Sequence, residues 1–204
     1  MVSTLPSSPE RPAEADTMDA TTALDALLTY EFVCKLDDIP EGGRRCFLLP
    51  SSQRSVLLLR LKGEVFCMDQ TCYLTTRGCL LTLLLCPDHG GPLLTGDIEE
   101  LGGKLTIKCP WHAFRIAIET GEGLYMGVNM ALGPNGKLQP SEPTVKSKGV
   151  KQRTHFVQVR NNEDVYVADS SRIPGSAPIA SDAYAFQPTV ILSPKSSRVH
   201  SRFE

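Results

Sequence analysis

The strongest constraint on the fold is a rhythm of short alternating segments cut by turn residues. Glu31 to Leu36 alternates weakly, and Arg45 to Leu49 is an apolar run after Glu41-Gly42-Gly43. Ser55 to Leu61 and Glu64 to Met68 flank Lys62-Gly63, a two-residue hairpin signal. Lys104 to Lys108 alternates as a half-buried strand does, and Phe114 to Ile118 repeats the pattern before Thr120-Gly121-Glu122-Gly123 stops it. Thr154 to Arg160 and Asp164 to Val167 flank Asn161-Asn162-Glu163, a second hairpin signal. No amphipathic stretch of helical length stands out between them. The expected class is all-β, a sandwich or small barrel.

This β-rich region is expected to run over residues 28–170. Residues 1–27 are rich in Ser, Pro, Glu and Ala and read as a disordered tail. Residues 171–204 read as a mostly disordered second tail, in which the aromatic patch Ser181 to Phe186 is expected to dock on the core. The longest apolar run, Cys79 to Cys86, is broken by Thr82 and falls well short of the roughly 20 residues a spanning helix needs. No membrane insertion is expected. A net charge of −2 lacks the basic stripe of a nucleic-acid protein. Met1 to Asp19 has neither the basic start nor the apolar centre of a secretory leader, and its acidity argues against a mitochondrial transit peptide. A cytoplasmic location follows as the expectation. The seven cysteines then read as buried thiols and metal ligands rather than as a disulfide framework.

The chemistry lies in two Cys/His pairs, Cys86-Pro87-Asp88-His89 and Cys109-Pro110-Trp111-His112. Each is held by a proline and can aim a thiolate and an imidazole at one point. Such donors select zinc, copper or iron–sulfur centres over oxygen-loving ions. Glycines 90 and 91 let the first loop approach a metal closely. Cys34, Cys46 and Cys67 have no such partners and read as core, while His155 and His200 read as ordinary structural residues. As written, the spacing also suits a tetrahedral zinc site, so a zinc-binding interaction module stays open beside an iron–sulfur centre. A metal-free β-domain used for binding is a third reading.

Gly90-Gly91-Pro92-Leu93, Gly96-Asp97, Cys109-Pro110-Trp111-His112-Ala113-Phe114 and Thr120-Gly121-Glu122-Gly123 together resemble a Rieske [2Fe–2S] domain, over roughly residues 30–168. Gly123-Leu124-Tyr125 and Lys148 to Arg153 are similar to the small soluble ferredoxin-like Rieske proteins of animals. The resemblance implies a β-sandwich with a smaller cluster-binding subdomain near residues 66–126. It also implies a Rieske [2Fe–2S] cofactor on Cys86, His89, Cys109 and His112, and one-electron transfer between a reductase and an acceptor rather than catalysis. No mononuclear-iron triad or dinucleotide loop accompanies it.

The first motif departs from the family's Cys-x-His, because Asp88 holds the ligand slot when counted from Cys86. Met68 to Tyr73 resembles the family's run into its first ligand, which makes Cys72 the alternative to Cys86. Removing the fifteen residues 74–88 joins Cys72-Tyr73 to His89 and restores the motif. The extra residues read either as a translated intron end or as a tolerated loop insertion. High-potential members carry a serine and a tyrosine where this chain has Phe114 and Ile116, and a disulfide near Gly91 and Trp111. The resemblance therefore implies the low end of the Rieske range of about −150 to +300 mV, with Trp111 shielding the cluster.

Overall fold

The computed structural model describes residues 28–73, 91–132 and 136–186. Two hairpins anchor the first sheet. Lys62 and Gly63, both at positive φ (54° and 81°), turn β3 (Ser55–Leu61) into β4 (Glu64–Asp69). Asn161 and Asn162 at positive φ turn β12 (Thr154–Arg160) into β13 (Asp164–Ala168). Asn tolerates this left-handed conformation better than most side chains. With β1 (Tyr30–Lys35) and β2 (Arg44–Leu48), these strands form a six-stranded antiparallel sheet ordered β1-β13-β12-β4-β3-β2.

A second sheet of five antiparallel strands is ordered β11-β8-β7-β6-β5. Its members are β5 (Asp97–Leu101), β6 (Lys104–Lys108), β7 (Arg115–Ala117), β8 (Glu122–Gly127) and β11 (Thr144–Val150). A small exposed hairpin of β9 (Met130–Leu132) and β10 (Leu138–Pro140) leaves it. The class is all-β, as expected, and no helix among the described residues is long and apolar enough to cross a membrane.

β3 explains how the sheets share a core. It reads Ser-Val-Leu-Leu-Leu-Arg-Leu, and its first five residues are buried. Leu57 and Leu59 face a cluster with Met68, Ile107, Ile116 and Ile118, between the two sheets. Val56 and Leu58 face the opposite way, toward Cys34, Cys67, Val165 and Val167 of the same curled sheet. A strand buried on both faces loses its polar alternation, which is why it reads as a continuous apolar run. Cys34 and Cys67 are core residues, as expected, and Cys46 packs half-buried against the inter-sheet cluster. Burial pushes the Cys34 thiol up to about 11 and the Cys46 thiol to about 12.

The aromatic patch at 181–186 docks, and it docks through charge as well as apolar contact. Arg54 is almost fully buried and pairs with Asp69 at 2.6 Å and with Asp182. Arg153 grips Asp182 with two nitrogens at 2.6 Å each, and also bonds Ser176 Oγ and the Ala177 carbonyl. The Ser55 N–H donates to the Ala185 carbonyl at 2.8 Å. His155 proves to be a fully enclosed side chain, 3.2 Å from Asp69 and accepting the Ser170 N–H on Nδ1. The rest of the two expected tails, residues 1–27 and 187–204 with His200, lies outside the described residues.

Burial raises the Asp182 pKa, but bonds from Arg153, the Ile179 N–H and Arg54 outweigh it and hold the carboxyl well below the usual range. A depressed folded-state pKa stabilises the fold above the unfolded value of about 4, and that stability is lost as pH falls further. Asp182→Asn leaves two arginines short of a counter-charge. It is expected to cost roughly 3 kcal/mol at neutral pH, the low end for a broken buried pair because Asp182 is partly exposed. In urea titrations the gap between variant and wild type should narrow below about pH 4; a gap constant down to strong acid would contradict the charge assignment.

Candidate metal centre

Two turns from different sheets meet edge to edge. The first follows β4 and carries Cys72. Its Cys72 N–H donates to the Gly91 carbonyl at 2.9 Å, Leu93 N–H donates to the Gln70 carbonyl at 3.0 Å, and Thr71 bridges Pro92. The second joins β6 to β7. Its ends close through Cys109 N–H to Phe114 O at 2.8 Å and Ala113 N–H to Cys109 O at 2.9 Å, with Ala113 at a positive φ of 55°. The turn therefore presents Cys109 and His112 on one side.

Cys72, Cys109 and His112 come together, their ligand atoms all within 4.8 Å of one another. Cys109 Sγ lies 3.4 Å from His112 Nδ1. Of the residues singled out by spacing, Cys109 and His112 thus share a site with Cys72, the alternative first cysteine. Cys86 and His89 lie outside the described residues. Both cysteines are completely buried, while His112 is half-buried. A hydrogen bond from the Cys72 thiol pulls the Cys109 pKa down to about 5. Burial opposes this shift, and the Trp111 and His112 N–H groups and the His112 ring support it. A thiolate at neutral pH is the form that binds a metal.

Gly91 faces this sulfur. A Cβ built on it would lie 2.5 Å from Cys109 Sγ and 3.3 Å from Trp111 Cβ. The two turns approach side by side at Gly91 and Trp111, where the family resemblance implied a disulfide in high-potential members and where this chain has no sulfur. Trp111 is half exposed, its ring meeting that of His112 edge-on at 6.5 Å. It caps the site rather than packing into the core. Behind the site, Phe114 lies between His112 and Tyr73, with ring centroids at 6.4 and 6.0 Å. Lys148 Nζ stands 4.5 Å over the Phe114 ring.

A family model described as soluble Rieske-type ferredoxin matches residues 32–172. The chain belongs to that family. It is 36% identical over 148 residues to the human Rieske domain-containing protein, covering 70% of this chain and 77% of that one. Among solved structures it is similar to the ferredoxin of carbazole 1,9a-dioxygenase from Nocardioides aromaticivorans (20% identity, TM-score 0.43, 70% of this chain and 99% of that one). It is also similar to a Sphingomonas yanoikuyae ferredoxin (17% identity, TM-score 0.40, 69% and 99%).

Tyr73 and Gln152 had no site role in the sequence reading. Tyr73 is buried, and its hydroxyl has no hydrogen-bond partner among the described residues. Burial, with Cys72 and Cys109 close by, pushes its pKa up to about 12. Its place in Cys-Tyr was the available signal. Gln152 lies in the Lys148 to Arg153 stretch that carries part of the family resemblance, but that stretch assigns it no role at the site; its side chain bonds only backbone groups.

Gly91→Ala places a methyl group on Cys109 Sγ. Urea unfolding should show a loss of about 1–3 kcal/mol from overpacking, with the far-UV spectrum retained. A wild-type midpoint would mean that the two turns can part without cost.

Proposed function

We propose that this Rieske-family chain binds a [2Fe–2S] cluster and serves as a one-electron carrier between a reductase and an acceptor. The observation that carries this reading is the convergence of two thiols and an imidazole from turns far apart in the sequence. That donor set fits a mixed thiolate–imidazole centre. Cys72 and Cys109 would supply the thiolates, and His112 and His89 the imidazoles. When bound, such a cluster takes up and releases a single electron at a potential above that of all-cysteine ferredoxins.

Support for Cys72 over Cys86 is its contact with Cys109. Support for His89 is covalent. It stands two residues before Gly91, so its Cα can lie no more than about 7 Å from that glycine, and Gly91 faces the Cys109 sulfur. The residues around the donors suit transfer rather than turnover. The Trp111 and His112 N–H groups hold negative charge on Cys109. Phe114 and Ile116 have no hydrogen to donate to a cluster sulfur, which favours the low end of the Rieske potentials, near about −150 mV. Half-exposed Trp111 and His112 bring the donor set to the surface, where a partner can reach it.

Visible absorption and EPR of the reconstituted full-length chain test this reading, beside a variant lacking residues 74–88. A Rieske signal in the full-length chain is expected, and its loss in His112→Ala. Colourless protein holding zinc would point to a binding module instead. A loaded, unshifted spectrum in His112→Ala would overturn the site.

A further inference from the structure

Gln152 is a polar side chain with no exposed surface at all. Its carboxamide is nevertheless saturated by one short stretch of backbone. Nε2 donates to the Asp69 carbonyl at 2.8 Å and to the Thr71 carbonyl at 2.9 Å. Oε1 accepts the Tyr73 N–H at 3.0 Å. Only a carboxamide offers two donors and an acceptor on one planar group, and the two carbonyls against one N–H fix which way round it sits. Thr71 and Tyr73 are the neighbours of Cys72 on either side. The Cys72 N–H is itself committed to Gly91. The backbone around this cysteine is therefore held before, at and after the residue.

The amide is in turn held from behind. Lys151 N–H and Gln152 N–H both donate to the Gly121 carbonyl, at 2.9 and 3.0 Å. Gly121 has a φ of +70°, and a Cβ there would fall 1.9 Å from the Gln152 carbonyl oxygen. On the other side Ser181 brackets the same residue. Its N–H donates to the Lys151 carbonyl at 3.1 Å, and its hydroxyl accepts the Arg153 N–H at 2.8 Å. Ser181 lies beyond the end of the family match at 172. The Gly121 turn and the docked C-terminal segment thus meet on Gln152.

We propose that Gln152 is the positioning residue that sets Cys72 opposite Cys109. It touches no donor atom and acts only through the peptide groups flanking Cys72. The functional meaning of this placement rests on the cluster reading above, but the placement can be measured without a cluster. A residue that served stability alone would lower the unfolding midpoint and leave the two sulfurs facing each other. A positioning residue changes how the sulfurs meet.

The test compares full-length wild type with Gln152→Met, of similar size but without hydrogen bonds, and Gln152→Glu, which keeps an acceptor for Tyr73 but sets a carboxylate against two carbonyls. Val165→Ala, in the core cluster on the other face of the six-stranded sheet, serves as the stability control. In the metal-free proteins, diamide takes two electrons and two protons from a pair of thiols and leaves a disulfide. Peptide mapping follows the Cys72–Cys109 product. Both Gln152 variants are expected to form it several-fold more slowly than wild type, and Val165→Ala at the wild-type rate. In reconstituted protein, the Gln152 variants are expected to show shifted EPR g values. They should hold iron about 10- to 100-fold more weakly in competition with a chelator, the usual effect of removing an outer contact to a metal ligand. Cross-linking at the wild-type rate in Gln152→Met, or in Gln152→Glu should the first not fold, would overturn the proposal. Should wild type take up no cluster, the functional reading falls, while the cross-linking rates still decide the placement.

Discussion

Asp69 is the point on which the two halves of this molecule depend. It ends β4, three residues before Cys72, and its carboxylate is fully enclosed. Arg54, His155 and Ser181 all bond that carboxylate, and its carbonyl accepts from Gln152. Burial pushes its pKa up, but the bonds from His155 and Arg54 win and hold it below the ordinary range. An enclosed charge is costly unless it is paired and its lone pairs are filled. Here they are filled by Arg54 just ahead of β3, by His155 of β12 and by the docked segment around Ser181. Moving any of these three leaves a buried charge short of a partner. The cost of desolvation thereby becomes a geometric constraint, and the turn that carries Cys72 inherits it.

The same logic explains why the C-terminal segment belongs to the structure. Its apolar contribution is small: Ala185 is buried, but Phe186 is mostly exposed and lies 5.7 Å from the Arg54 guanidinium. What seats it is Asp182 between Arg54 and Arg153. Residues 171–204 look like a tail by composition because the deciding residue is one aspartate. Its two arginine partners lie 29 and 128 positions away in the chain. No local pattern carries that information.

What was legible in the sequence follows from which forces act locally. β3, β6 and β12 have the limits their alternation or apolar run predicts, because each packs a face on a core. β5 (Asp-Ile-Glu-Glu-Leu) and β11 (Thr-Val-Lys-Ser-Lys-Gly-Val) went unmarked. They form the two edges of the second sheet and present charge to solvent, as edge strands commonly do. In the site, Cys109 and His112 stood out because one tight turn brings them together, and Cys72 emerged from its resemblance to a ligand run. The contacts of Gln152, which sits in a stretch that carries the resemblance, were invisible for the opposite reason. Its contacts to the Cys72 turn span about eighty positions, and its chemistry is spent on peptide groups that every residue has.

The extra residues ahead of His89 raise the question of whether such a site can survive them. The backbone on either side of these residues is already joined. Cys72 bonds Gly91, and Thr71 bridges Pro92. Seventeen residues therefore connect neighbouring ends where the uninterrupted motif would need two. Loop-closure entropy grows only with the logarithm of length, roughly 0.6 kcal/mol for each doubling, so added length is by itself a small cost. Cys72 is fixed from the N-terminal side by Gln152, and Gly91 is fixed against the Cys109 sulfur on the C-terminal side. His89 stays two bonded residues from that glycine whatever precedes it. An insertion between the two ligands proposed above lengthens the path between them without lengthening either tether. The interrupted Cys-x-His of the sequence therefore leaves both anchors of the proposed pair, Cys72 and Gly91, beside the same turn.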